Sequence, residues 1–141
     1  MDIKKLKLFK YQDLSPRQKE AYNYHKLAAI LADYGYTCVK LFDDWNGADF
    51  IAVSVSNDSV LRIQLKARFA FQKKYLGKGL FIAFPIDGKW YICDHDYLVE
   101  EYESKKPSKF QIASWTEKGS IHTDNPNHLE LSICKQLNIL P

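Results

Sequence analysis

Long apolar runs are missing from this 141-residue chain, and none approaches the length a helix needs to span a bilayer. The opening, Met1-Asp2-Ile3-Lys4-Lys5, lacks the apolar segment of a secretory signal, so a cytoplasmic protein without membrane contact is expected. Cysteine is scarce: Cys38, Cys93 and Cys134 are odd in number and widely spaced, which fits buried thiols and argues against a disulfide framework. His25, His95, His122 and His128 show no paired ligand spacing with those cysteines, which argues against zinc. Gly77-Lys78-Gly79 lacks the length and the hydroxyl residue of a phosphate-binding P-loop, so no nucleotide site is expected. No repeat, low-complexity tract or long linker divides the chain, and its length suits one domain, 1–141.

Acids are also absent from one long stretch. Between Ser59 and Ile86 there is none, while Arg62, Lys66, Arg68, Lys73, Lys74 and Lys78 all fall there. The acids gather afterwards, at Asp94, Asp96, Glu100, Glu101 and Glu103. The total charge of +3 is ordinary, but such a local basic stripe suits a phosphate backbone, because each cation placed at a phosphate releases a counterion. A solvated strand and helix surface would have the same composition.

What is present reads as alternating elements. Ser15-Pro16-Arg17-Gln18 is a helix start, with serine as N-cap, proline at the first helical position and glutamine at the third. The helix is predicted to run to Tyr34, with Gly35 as its left-handed cap and Glu20, Tyr24, Leu27, Ala28 and Leu31 along one stripe. A strand is predicted from Tyr36 to Phe42, followed by a turn over Asp43-Asp44-Trp45-Asn46-Gly47. Trp45 there is either a stacking surface or a lid on the core. Leu80 to Phe84 is a continuous apolar run ending at Pro85, the pattern of a strand buried on both faces, and Trp90 to Cys93 makes a hairpin with it. Asp94 or Asp96 caps a helix over Tyr97 to Tyr102, which explains Asp94-His95-Asp96 without a metal. A short helix or edge strand over Gln111 to Trp115, a loop from Gly119 to Pro126 and a closing helix from Asn127 to Leu140 complete the prediction.

The centre of the chain carries the chemistry. Asn46-Gly47-Ala48-Asp49-Phe50-Ile51-Ala52-Val53 and Val60-Leu61-Arg62-Ile63-Gln64-Leu65-Lys66 flank the turn residues Asn57-Asp58-Ser59, so a hairpin is predicted. Alternation puts Arg62, Gln64 and Lys66 on one face and Leu61, Ile63 and Leu65 on the other. Asp49 heads a face that continues as Ile51 and Val53, where a carboxylate needs a cation or a proton. Lys66, as a cross-strand ion pair, or a divalent metal would meet that need. Asp43 and Asp44 either add charge to such a site or only shape the turn.

Gly-Ala-Asp-Phe-Ile-Ala followed, one hairpin later, by Gln-Leu-Lys resembles the core of the PD-(D/E)XK nuclease superfamily, in the Gln-x-Lys variant of Mrr-like restriction enzymes and similar to Holliday-junction-resolvase-like members. Ala48 stands where the motif has proline, and Gln64 where it has a second carboxylate. The resemblance covers residues 15–100, with 105–141 as a C-terminal extension. It implies an α/β fold with a restriction-endonuclease-like core, a central mixed β-sheet flanked by helices. It also implies a magnesium or manganese ion held by Asp49, Gln64 and the main-chain carbonyl of Leu65, with Asp49, Gln64 and Lys66 catalytic. Glu20 would supply an auxiliary carboxylate, as first helices in the superfamily do, with His25 and Tyr24 as neighbours that would serve instead. The helix dipole favours acids near a helix start, and that is the more ordinary account of Glu20. Arg62, Arg68, Lys73, Lys74 and Lys78 would hold DNA, with RNA not excluded, through its backbone. The implied activity is endonucleolytic hydrolysis with low sequence specificity; a homodimer stays open. An inactive module of the same fold, binding nucleic acid or a protein, is the alternative.

Overall fold

The computed structural model describes residues 2–137. Seven strands and four helices follow in the order α1 (Pro16–Asp33), β1 (Tyr36–Trp45), β2 (Ala48–Ser54), β3 (Val60–Leu65), β4 (Phe69–Gln72), β5 (Phe81–Ile86), β6 (Lys89–Asp94), α2 (His95–Lys105), α3 (Ala113–Thr116), β7 (Ser120–Thr123) and α4 (His128–Leu137). The fold is α/β, with a five-stranded mixed sheet in the order β1-β2-β3-β5-β6. β3 and β5 are parallel and the other neighbours antiparallel.

α1 starts as its local chemistry dictates. Ser15 Oγ accepts from the Gln18 amide while Gln18 Oε1 accepts from the Ser15 amide, closing a capping box. The helix ends where Gly35 turns left-handed at φ 78°. Leu27 and Leu31, one turn apart, are buried against Phe50, Ala52 and Ile63 on one face of the sheet. Each such leucine contributes about 1.5–3 kcal/mol by leaving water. Ala28 is only half-buried, and Asn23 takes the place in the stripe where Glu20 was expected.

The opposite face is covered over β5 and β6 and, at the end of β3, over Gln64. There Ile82, Phe84, Tyr91 and Cys93 pack with α2, α4 and the separate β4–β7 pair. β5 is therefore apolar on both faces, as its sequence suggests. Over β1 and the first half of β3 the same face is open, with Val39, Val60 and Arg62 exposed.

Several boundaries differ from those expected. β5 continues through Pro85, which pairs with Trp90. The missing N–H points away from β6, to the side where β3 has already ended at Leu65, so no ladder bond is lost. The loop expected over Gly119 to Pro126 contains β7, whose partner β4 lies some fifty residues earlier. The segment expected over Gln111 to Trp115 contains the short helix α3, Ala113–Thr116, and Asp94 caps α2 by accepting from the Tyr97 amide. The part of the closing helix expected beyond Leu137 lies outside the described residues.

Candidate active site

β1 and β2 are joined by Asn46-Gly47 alone, with Trp45 paired to Ala48 and both turn residues at positive φ, 51° and 88°. Asn-Gly is the preferred pair for this tight hairpin. Glycine is required for a second reason: a Cβ at position 47 would lie 2.6 Å from Cδ1 of the Tyr75 ring. The expected turn over Asp43 to Gly47 is thus corrected, because Asp43 and Asp44 belong to β1.

A large bulge interrupts that strand. Lys40 pairs with Phe50 and Trp45 with Ala48, so residues 41–44 face only Asp49 across the ladder. Bulges re-aim side chains. This one brings the Asp44 carboxylate near enough to Asp49 for the two like charges to disfavour each other.

Asp49 Oδ2 accepts from the Leu65 amide at 2.6 Å. Its pKa is pushed up to about 6, chiefly by burial; the Leu65 amide opposes this, Asp44 adds to it, and Lys66 opposes it. The Lys66 ammonium is shifted down, again chiefly by burial, with Asp49 and Asp44 opposing and Lys74 reinforcing. Among the described residues no ion pair joins Asp49 to Lys66. The cross-strand pair envisaged from sequence is absent, and the two charges act on each other without contact.

Phe50 pairs with Ile63, so the next position of the register sets Asp49 opposite Gln64, on the same face. Gln64 is 3% exposed, and among the described residues its Oε1 has no hydrogen-bond partner. An orphaned buried acceptor costs about 1–3 kcal/mol. The Lys66 amide donates to Ala83 O on β5, so across that trans peptide the Leu65 carbonyl points the other way, towards β2. The Asp49 carboxylate and the Leu65 carbonyl thus lie at the β2–β3 seam, with Gln64 on the same face as Asp49, oxygen donors of the kind a hard cation takes. Among the described residues no group of three or more His, Cys, Asp or Glu is arranged to hold a metal, so two of the three donors would be neutral.

Asp49 opens onto a cleft of about 660 Å³ lined by Arg17, Glu20, Lys40, Phe42 and Asp44. A second hollow of about 260 Å³, between the start of α1 and the end of β3, is lined by Glu20, Asn23, Leu65 and Lys66. Glu20 is exposed and borders both. His25 is exposed and stands edge-on to Tyr24, whose ring packs against Phe50 in the core; neither borders these hollows.

The basic stripe divides. Arg62 lies over the Trp45 ring at 5.7 Å, and Lys66 and Lys74 lie over Tyr75 at 5.9 and 4.9 Å. Lys73 lies over Trp115, and Arg68 pairs with Asp124, so both belong to the β4–β7 lobe. Lys78 is exposed. Asp96 is engaged locally, accepting from the Gly77 amide and bonding His95 Nδ1.

No family model matches the chain, and none of the curated proteins matches it. No described helix is long and apolar enough to cross a membrane.

Sequence reasoning left Asp44 undecided and overlooked Tyr75. Asn46-Gly47 was the usable signal for Asp44: a two-residue turn forces the strands to run up to Trp45 and Ala48, which places Asp44 on the ladder beside Asp49. Tyr75 had no comparable signal, because its contact with Gly47 is made across the fold.

Proposed function

We propose that this protein is a divalent-metal-dependent nuclease of PD-(D/E)XK type, hydrolysing phosphodiester bonds in DNA with little intrinsic sequence specificity. The observation that carries this reading is the placement of the Asp49 carboxylate opposite the buried, unpartnered Gln64 Oε1, with Lys66 two residues on. The mixed sheet with α1 packed on one face is the scaffold that the resemblance implies. Bound there by Asp49, Gln64 and the Leu65 carbonyl, magnesium or manganese would polarise the phosphoryl oxygen and supply an activated water.

The chain's own residues do the rest. The Leu65 amide holds Asp49 in one orientation. Lys66, half-buried, stabilises the charge that grows on the phosphate, and its lowered pKa also suits it to hold or relay a proton. Glu20 stands at the cleft as an auxiliary acid. Arg62 and Lys74 hold the backbone on either side.

One observation favours a second reading, an inactive module that binds nucleic acid without cutting it: among the described residues the carboxylates form no three-ligand cluster. Incubation with plasmid, single-stranded and branched DNA under magnesium or manganese separates the two. Cleavage by the wild type that is lost in Asp49→Ala and in Lys66→Ala supports the nuclease. Salt-sensitive binding without cleavage supports the module.

A further inference from the structure

The bulged strand β1 exposes two large aromatic side chains beside Asp44. Phe42 is 102% exposed and lines the Asp49 cleft, and Trp45 is 54% exposed at the end of the strand. Phe42 stands wholly and Trp45 about half in water, which forgoes burial that a core position would give. Cations border each of them. Arg17 and Lys40 line the cleft with Phe42, and the Arg62 guanidinium lies over the Trp45 ring at 5.7 Å, near Gly79. Tyr75, held over Gly47, carries Lys66 and Lys74 in the same manner. Flat apolar rings interleaved with cations match a strand of nucleic acid whose bases are free to stack and whose phosphates lie between them. A duplex keeps its bases stacked on one another and has no use for such rings, so the pattern discriminates between the two.

We propose that the cleft and the adjoining end of β1 bind single-stranded nucleic acid, with Phe42 inside the bulge and Trp45 just beyond it stacking on unpaired bases. This rests on the cleft being the phosphodiester site proposed above, and it adds that the segment engaged there is unpaired. Stacking is the specific element, and the cations supply attraction that any nucleic acid would feel.

The protein supplies its own probe, because Trp90 and Trp115 are buried and Trp45 alone among its tryptophans is exposed. Titration of the full chain with a short oligothymidylate in chelator, where no metal-dependent cleavage occurs, is expected to quench tryptophan fluorescence. The same strand annealed to its complement is expected to bind at least tenfold more weakly. Trp45→Ala is expected to abolish the quenching and weaken binding, read by anisotropy of a labelled strand, by about fivefold to a hundredfold, the range for one lost base stack. Phe42→Ala, at a fully exposed position with no packing to lose, is expected to act in the same direction. Trp45→Phe keeps a ring and is expected to retain most of the affinity. Oligouridylate in parallel tells RNA from DNA, and binding of either strand supports the proposal. Tighter binding of the duplex, or unchanged affinity in both Trp45→Ala and Phe42→Ala, overturns it. Cleavage of duplex DNA with those two variants fully active would overturn this inference and leave the nuclease standing. Single-strand binding without cleavage under any metal would do the reverse.

Discussion

Replacing Asp49 by asparagine is expected to make the protein more stable at neutral pH while ending its activity. The Asp49 acid has an ordinary pKa of 3.8 and is pushed up to about 6 in the fold. The folded state therefore binds a proton more tightly than the unfolded chain between those values, and folding is penalised once the pH rises above both. The gap amounts to at most about 3 kcal/mol at about 1.4 kcal/mol per tenfold, and solvent at the cleft mouth screens it to about 1–2 kcal/mol. Asparagine keeps an oxygen to accept from the Leu65 amide, so the bond of 2.6 Å has a successor. Asp49→Asn should thus gain about 1–2 kcal/mol over wild type in urea denaturation at pH 7.5, and the difference should shrink through the window from 6 to 3.8 and vanish below it. Magnesium at ten times its dissociation constant should return about 1.4 kcal/mol to the wild type and nothing to the variant. A loss of several kcal/mol in Asp49→Asn at pH 7.5 would refute the reasoning, because it would mean that the Asp49 charge is held by a structural partner.

Lys66→Ala should fold with near wild-type stability, since among the described residues no ion pair is broken, and should lower the cleavage rate by a hundredfold or more in a single-turnover assay. Gly47→Ala should cost about 2–4 kcal/mol in urea denaturation, because φ 88° strains any side chain and the new Cβ meets the Tyr75 ring. Activity should fall with it as Tyr75 and the lysines over it are displaced. Tyr102→Phe should cost about 1–3 kcal/mol and leave cleavage intact, because its hydroxyl donates at 2.8 Å to buried Glu130, far in sequence from the cleft residues.

What could be read from the sequence was what local chemistry decides. The capping box at Ser15 and the left-handed Gly35 need only neighbouring residues, so α1 was legible almost to the residue. The β2–β3 hairpin was equally clear, and alternation along it already set Gln64 and Asp49 on defined faces. Elements held by distant partners were not legible. β7 is four residues long and exists as a strand through its pairing with β4. The Phe69-Phe71 alternation carried a weak trace of that pairing, hidden among the cations. Pro85 was misread because its missing N–H matters only where a neighbouring strand is present. Asp43-Asp44 reads as turn chemistry until the two-residue Asn46-Gly47 hairpin claims the turn for itself. The acid-free stripe located the cations, but not Asp124, which removes Arg68 from the group beside the cleft.

The central claim is that Asp49, Gln64 and the Leu65 carbonyl together hold a divalent ion. Crystals grown with manganese and measured for its anomalous scattering test this most directly. The account predicts a peak at the β2–β3 seam, at about 2.0–2.3 Å from an Asp49 carboxylate oxygen, Gln64 Oε1 and the Leu65 carbonyl oxygen, and its loss in Asp49→Asn. No peak there at saturating manganese, with Gln64 Oε1 still unpartnered, would contradict it.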